Sequence, residues 1–295
     1  MHFVKMHGAG NDYVYIDAFR TPPPPDLPEL AVRVSRRHTG IGADGLILIE
    51  PSPTADARMR MWNADGSEAG MCGNGLRCVA KYLYDRGLVA RPEMRIESGE
   101  GTVTAWIESS TPRESRVRIS LGRPKLAAAE IPTTLVGRIS NPSGRVENPS
   151  HERPVLDVPL QCGDREFRIC CVSMGNPHCV IFVDEPTDEL VLRYGPPLER
   201  HAAFPERTNV EFVQVLARDE VRIRVWERGS GETQACGSGA CAAVIAAALT
   251  NRTGRQVRCR LPGGELDVAW DESGVVFLTG PAVEVFAGDW RGDVV

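Results

Sequence analysis

The sequence predicts an α+β protein of two pseudo-symmetric domains that arose by internal duplication. Three observations predict it. The segments Arg58–Trp62 (RMRMW) and Arg222–Trp226 (RIRVW) lie 164 positions apart. The motif Cys-Gly-X-Gly recurs with the same separation, at Cys72 and Cys236. The stretch Ala240–Leu249 is apolar on every side, so sheet must surround it as a helix. We therefore expect each half to be a mostly antiparallel or mixed sheet around a buried central helix, with the active site in the cleft between the halves.

The length of 295 residues suits two domains. We expect residues 1–121, joined by a C-terminal strand within 281–295, to form the first half, and residues 122–280 to form the second. Gly10-Asn11 and Gly175-Asn176 lie 165 positions apart, as do Asp44 and Asn209. The repeat therefore covers most of both halves in order.

Apolar periodicity and turn residues predict the elements of the first half. Residues 1–19 form a hairpin with Asn11 at its bend, and a helix covers Leu27–Arg37. A second helix, Leu76–Asp85, ends at Gly87, which is a good C-terminal cap. The remaining runs predict short strands over residues 46–49, 58–62, 94–97, 102–107 and 116–121.

The second half follows the same logic. Its segment 137–154, rich in Gly, Pro, Ser, Asn and charge, predicts an exposed, mobile insertion without chemistry. Residues 187–194 have helical spacing that Gly195-Pro196-Pro197 ends. The strands are expected over residues 167–172, 179–183, 210–215, 221–226, 256–261, 266–270, 275–279 and finally 282–286, which returns to the first half.

Composition limits the function. A net charge of −5 gives no basic surface for nucleic acid, and no apolar run reaches the roughly 18 residues of a membrane span. The nine cysteines follow no export signal, so we expect reduced thiols in the cytoplasm. Cys72/Cys78 and Cys236/Cys241 lack metal-ligand spacing and paired histidines, so we expect no metal.

The chemistry is expected at the two cysteines. Unpaired N–H groups at a helix start bind anions and raise the acidity of a thiol placed there. A lone cysteine beside glycines is usually a packed small residue, but the duplication argues against this. With Cys72 and Cys236 face to face across the cleft, one thiol would remove an α-proton and the other would return a proton to the opposite face, as a racemase or epimerase requires.

Six motifs occur in order across nearly the full length. They are HGAGNDY (7–13), NADGSE (63–68), CGNGLRC (72–78), MGNPH (174–178), FPERTN (204–209) and WERGSGETQACGSGACA (226–242). With this set the chain resembles the diaminopimelate epimerase family. Proline racemase and its relatives share the expected architecture and paired thiols, but not this set of asparagines.

The resemblance implies a cofactor-independent, cytoplasmic homodimer. It would interconvert LL- and meso-diaminopimelate by two-cysteine proton transfer in lysine and peptidoglycan precursor biosynthesis. Cys72 and Cys236 would be the acid/base pair, with His178 near Cys72 and Glu227 near Cys236 to tune them. No lysine lies in these motifs to bind pyridoxal phosphate. The implied substrate-binding residues are Asn11, Asn63, Gly73, Asn74, Asn176, Asn209, Glu227, Arg228, Gly237 and Ser238.

One position departs from the family pattern, and other functions stay open. Many members carry a substrate-contacting Gln where this chain has Gly45. The alternatives are another amino-acid racemase of the same fold that needs no pyridoxal phosphate, a redox protein that uses Cys72 and Cys236 as an exchangeable disulfide, and a non-catalytic amino-acid-binding module. The absence of a Cys-x-x-Cys motif disfavours the redox function.

Overall fold

The structure is a computed structural model that describes residues 1–140 and 146–292. Its α-helices are α1 (Leu27–Ser35), α2 (Gly73–Asp85), α3 (Gly195–Glu199) and α4 (Gly237–Leu249). Its strands are β1 (His2–Gly8), β2 (Asn11–Asp17), β3 (Gly45–Glu50), β4 (Ala57–Asn63), β5 (Glu68–Ala69), β6 (Glu93–Ser98), β7 (Gly101–Ser110), β8 (Glu114–Ser120), β9 (Gly137–Ser140), β10 (Val146–Ser150), β11 (Val158–Cys162), β12 (Arg165–Ser173), β13 (Pro177–Phe182), β14 (Asn209–Ala217), β15 (Glu220–Glu227), β16 (Gly231–Thr233), β17 (Gln256–Leu261), β18 (Gly264–Trp270) and β19 (Val276–Asp289).

The chain divides into two compact units. The first contains residues 1–120 and the C-terminal segment from 279, and the second contains residues 121–278. The boundary before Thr279 falls inside β19, so this strand passes from the second unit into the first.

The first unit is a ring of strands around α2. Successive pairs are β1–β2, β2–β3, β3–β4, β4–β6, β6–β7 and β7–β8. Strand β19 pairs with both β1 and β8, which closes the ring of strands. The pairs β2–β3 and β4–β6 are parallel and the others with a stated register are antiparallel. Helix α2 packs on β1, β2, β6, β7 and β8, and Asn74–Leu83 is buried throughout. Helix α1 packs instead on β2, β3 and β4, so one sheet has a helix on each face.

The second unit repeats this pairing. Strands β11–β12, β12–β13, β14–β15 and β17–β18 are antiparallel, whereas β13–β14 and β15–β17 are parallel. Helix α4 packs on β12, β13, β14, β15, β17 and β18, and Ala240–Ala247 has no exposure at all. The duplicated α+β fold and the helix buried on every side are therefore confirmed.

The strand registers correct one detail of the repeat. Leu46 pairs with Trp62 and Val210 with Trp226, so β3 and β14 correspond at an offset of 164. Asn209 is thus equivalent to Gly45, and the expected equivalence of Asp44 with Asn209 is wrong by one residue. The cross-strand pairs Tyr13–Gly45 and His178–Asn209 agree, which makes His178 the counterpart of Tyr13.

Two element boundaries differ from the sequence prediction. Gly195-Pro196-Pro197 does not end the helical segment. A π-helix, Glu189–Tyr194, leads directly into α3, and the prolines lie in the first turn of α3, where no N–H partner is needed. Similarly, the two expected strands at 275–279 and 282–286 form one strand, β19. Pro281 fits within β19, and its carbonyl accepts a hydrogen bond from Arg77 Nε at 3.3 Å.

The expected insertion at 137–154 contains an antiparallel pair, β9 and β10. The structure therefore gives part of this segment regular backbone, whereas we expected none. Residues 141–145 of the insertion lie outside the described residues.

Among the described residues, no helix is long and apolar enough to cross a membrane. The longest helices, α2 and α4, have 13 residues each, and a span needs about 20.

Candidate active site

Each repeated cysteine caps the N-terminus of a central helix. Cys72 and Cys236 have extended backbone conformations (φ −137°, ψ 118° and φ −111°, ψ 112°), and helical geometry begins at the next residue. The amide of Gly75 donates to Cys72 Sγ at 3.4 Å. Both thiols thus lie where unpaired N–H groups and the positive end of the helix dipole converge.

Cys72 belongs to the first cysteine cluster, formed by Asn11, Asp44, Cys72 and Asn74. Cys72 Sγ donates to Asn11 Oδ1 at 3.3 Å, and Asn74 Nδ2 donates to the same oxygen at 3.2 Å. Asn11 begins β2 and Asn74 lies in the first turn of α2. Three of the predicted site residues are therefore in contact.

Neighbouring groups fix both amides of this cluster. Asn11 Nδ2 donates to Asp44 Oδ2 at 2.7 Å, so Asn11 Oδ1 must point towards Cys72. The fully buried Arg77 donates through Nη2 to Asn74 Oδ1 at 2.7 Å, which turns the Asn74 amino group towards Asn11. Asp44 and Arg77 thereby pre-organise the cluster, a role that we did not predict for either residue.

Cys236 belongs to the second cysteine cluster, formed by Asn176, His178, Cys236 and Ser238. Cys236 Sγ lies 3.5 Å from Ser238 Oγ, and Asn176 Nδ2 donates to that oxygen at 3.3 Å. Asn176 and Ser238 are the repeat counterparts of Asn11 and Asn74. The two clusters therefore share one plan, in which an asparagine from a strand start contacts the second residue after the cysteine.

His178 is fully buried in β13 and has a polar partner at each ring nitrogen. Nδ1 is 2.7 Å from Glu211 Oε1, and Nε2 is 2.9 Å from Asn176 Oδ1. Glu211, on the neighbouring strand β14, is also fully buried. The sequence did contain a signal for this residue, because Glu211 is the one charged residue of β14 and lies between the apolar residues Val210 and Phe212.

The segment after β15 is held from several sides. Asn209 Oδ1 accepts from the amide of Arg228 at 2.9 Å. The buried carboxylate of Glu199 accepts from the indole of Trp226 and the amide of Gly229, each at 3.0 Å. These bonds fix the backbone on both sides of Glu227 and Arg228, and Glu199 is a support that we did not predict.

The remaining predicted residues make local contacts. Asn63 ends β4, and its Nδ2 donates to Ser67 Oγ at 3.0 Å within the following turn. Glu227 ends β15 and accepts from Thr233 Oγ1. Gly73 and Gly237 are the first residues of α2 and α4.

Electrostatics at Cys236 differ from expectation. Burial raises the pKa of the Cys236 thiol well above its ordinary value, and the carboxylates of Glu227 and Glu211 raise it further. The expectation that the helix start makes this thiol more acidic is therefore wrong for Cys236. Only 6% of the residue is exposed, so desolvation of the thiolate outweighs the helix dipole.

The space beside Gly45 explains the departure from the family pattern. A Cβ at this position would lie 2.1 Å from the carbonyl oxygen of Trp62 and 3.0 Å from a ring carbon of Tyr13. Any side chain would require the paired strands β3 and β4 to move apart. In this backbone, glycine at position 45 is a packing requirement.

No group of three or more His, Cys, Asp or Glu side chains is placed to hold a metal ion in residues 1–140 and 146–292. The polar residues of the two clusters are instead bonded to one another and to the helix starts. These arrangements suit carboxylate binding and proton transfer.

Comparison with known proteins agrees with this geometry. A family model described as diaminopimelate epimerase matches residues 3–127 and 170–285. The chain belongs to the diaminopimelate epimerase family. A diaminopimelate epimerase of Pelotomaculum thermopropionicum is 49% identical over 291 residues, covering 98% of this chain and 99% of that protein. One of Desulforudis audaxviator is 50% identical with the same coverage.

Solved structures share the fold of this family member at low sequence identity. The Bacillus anthracis phenazine biosynthesis protein of the PhzF family has a TM-score of 0.66 at 16% identity, covering 99% of both chains. A hydroxyproline epimerase from Agrobacterium vitis, with bound trans-4-hydroxy-L-proline, has a TM-score of 0.65 at 16% identity and covers 98% of this chain and 90% of its own.

Proposed function

We propose that this chain interconverts LL- and meso-2,6-diaminopimelate by proton transfer between two cysteines, Cys72 and Cys236. The observation that supports this most is the duplicated cysteine cluster. Each cysteine is the N-cap residue of a central helix, and beside each one an asparagine contacts the second residue after the cysteine. A two-base epimerisation needs such a pair, because the proton leaves one face of the α-carbon and another returns on the opposite face.

The surroundings of the thiols suggest their resting protonation states. Cys236 is the proton donor of the resting pair, because burial keeps its pKa high. Cys72 is then the base. It is less buried than Cys236. To act as the base, Cys72 gives up the hydrogen that it donates to Asn11 Oδ1, and the amide of Gly75 at its sulfur then stabilises the thiolate. After one turnover the roles are reversed, and the enzyme works on the other stereoisomer.

The α-carboxylate binds at the helix starts. Gly73, Asn74, Gly237 and Ser238 lie in the first turns of α2 and α4, where unpaired backbone N–H groups bind anions. Negative charge develops on this carboxylate as the α-proton leaves, so pre-oriented N–H groups favour the transition state. This replaces the electron sink that a cofactor would supply, and we propose that no cofactor is used.

The distal amino and carboxyl groups of diaminopimelate form a zwitterion. Asparagine amides offer a donor and an acceptor together, and we assign Asn11, Asn63, Asn176 and Asn209 to this end. Arg228 supplies a guanidinium for the distal carboxylate. From the family resemblance we further propose that His178 tunes Cys72, in addition to its contact with Asn176 beside Cys236, and that Glu227 tunes Cys236. We also propose that the protein is a cytoplasmic homodimer.

The test uses alanine variants with controls from the same helices. We expect Cys72→Ala and Cys236→Ala each to abolish epimerisation of LL-diaminopimelate. Cys78→Ala and Cys241→Ala alter fully buried thiols farther along α2 and α4, and we expect them to keep activity near that of the wild type. Epimerisation by either of the first two variants would refute the two-base function.

A further inference from the structure

The second unit buries a carboxylate that its fold does not require. Glu211 has no exposed surface. Its Oε1 meets His178 Nδ1 at 2.7 Å, whereas Oε2 has no hydrogen-bond partner among the described residues. Burial raises the pKa of Glu211. Removing a carboxylate from water is costly, so a function should compensate for it.

The internal repeat shows what the fold accepts at the same position. Ile47 pairs with Met61, and Glu211 pairs with Val225, so Ile47 and Glu211 are equivalent at the 164-residue offset. A Cβ on Gly75 would meet Ile47 Cδ1 at 2.6 Å, and a Cβ on the equivalent glycine of α4, Gly239, would meet Glu211 Oε1 at 2.7 Å. An isoleucine therefore packs in the first unit where the second unit has a glutamate.

Glu211 begins a continuous polar chain that ends at the sulfur of Cys236. The successive contacts are Glu211–His178 at 2.7 Å, His178–Asn176 at 2.9 Å, Asn176–Ser238 at 3.3 Å and Ser238–Cys236 at 3.5 Å. Every member of the chain lies in the second unit. When the Glu211 carboxylate and Asn176 Oδ1 both accept hydrogen bonds from His178, both ring nitrogens of His178 must carry hydrogen. A proton held between Glu211 and His178 therefore influences each later contact.

These successive polar contacts also orient the side-chain amide of Asn176. With Oδ1 at His178, Asn176 directs its amino group to Ser238 Oγ, and the Ser238 hydroxyl hydrogen can point to Cys236. In the first unit Asp44 accepts from the amino group of Asn11, whose Oδ1 faces Cys72. The equivalent asparagines therefore present opposite ends of the amide to the two clusters.

We propose that Glu211 is a positioning residue for the reaction: it holds a proton on His178 Nδ1 and, through His178, sets the direction of the Asn176 amide beside Cys236. This inference rests on the proposed function, in which Cys236 exchanges a proton with the substrate. Glu211 itself does not contact the substrate.

The experiment compares Glu211→Gln, which keeps the shape without the charge, with Glu211→Ile, which copies Ile47. Val213→Ala is the matched control, because it truncates a fully buried side chain on the same face of β14. We expect both Glu211 variants to lower kcat for diaminopimelate by about tenfold or more, with KM within about threefold. The control should keep kcat while lowering thermal stability.

The second readout is the ¹⁵N NMR spectrum of the His178 ring, assigned with a His178→Gln variant. We expect the wild type to carry hydrogen on Nδ1 and Glu211→Ile to lose that preference. A wild type that does not epimerise diaminopimelate would refute the proposed function, while the ring spectra would still report on Glu211. With an active wild type, two results would overturn this inference: both Glu211 variants keep kcat, or Glu211→Ile keeps the wild-type ring signals. If Glu211→Ile does not fold, Glu211→Gln decides.

Discussion

Replacing Gly239 with alanine tests the packing beneath Cys236. The new Cβ would lie 2.7 Å from Glu211 Oε1 and 3.3 Å from Cys236 Sγ. The carboxylate cannot easily move away, because it is buried and bonded to His178. Overpacking of this kind costs about 1–3 kcal/mol, and alanine regains at most about 1 kcal/mol of helix propensity. We expect a net loss of about 1–2 kcal/mol, which lowers Tm by roughly 2–8 °C.

A double-mutant cycle identifies the cause. Glu211→Ala removes the obstructing carboxylate, so in that background Gly239→Ala should be neutral or stabilising, a coupling of about 2 kcal/mol. The assay is urea unfolding of the wild type, both single variants and the double variant. An equal cost of Gly239→Ala in both backgrounds would show that contact with Glu211 is not the cause and would refute the reasoning.

Three further predictions concern other parts of the molecule. Asp44→Ala removes the acceptor that orients Asn11. KM for diaminopimelate should therefore rise about tenfold, the equivalent of about 1.4 kcal/mol. An unchanged KM in steady-state assays would contradict the orienting role of Asp44. Gly45→Gln should destabilise the fold by about 3 kcal/mol or more in thermal unfolding. Gly254→Ala is the control and should have little effect, because its Cβ would meet its nearest atom at 3.7 Å. Equal Tm values for the two variants would refute the packing argument. Burial raises the pKa of Cys78 to about 11. This thiol therefore stabilises the fold below its unfolded pKa of about 8.5 and loses that contribution as pH rises towards 11. Between these pH values Tm should fall less steeply in Cys78→Ala than in the wild type, and identical slopes would disprove the raised pKa of Cys78.

The duplicated α+β fold could be predicted from the sequence, because short repeated motifs indicate it. The Cys-Gly-X-Gly helix starts and the apolar segment 240–249 each depend on local spacing. The same motifs indicated Asn11, Cys72 and Asn74 as site residues, and the structure brings these three side chains together, because Asn11 Oδ1 accepts from both Cys72 Sγ and Asn74 Nδ2.

Other features depend on tertiary context. The one-residue change of offset before Gly45 became apparent only from strand pairing. Similarly, only the structure shows that the two expected strands continue through Pro281 as one. The high pKa of Cys236 arises from burial, which outweighs a helix dipole that the sequence alone suggested would dominate. Glu211 was missed because a charge in an apolar strand has meaning only when its partner, His178, is known.

The most direct test of the two-cysteine account follows α-hydrogen exchange in D2O, starting from LL-diaminopimelate. If one thiol removes the proton and the other returns a solvent-derived hydrogen, the first meso product should carry deuterium at the inverted carbon while the remaining LL substrate carries none. First product molecules that retain the protium of the substrate would show that a single group removes and returns the same hydrogen, and would contradict the account.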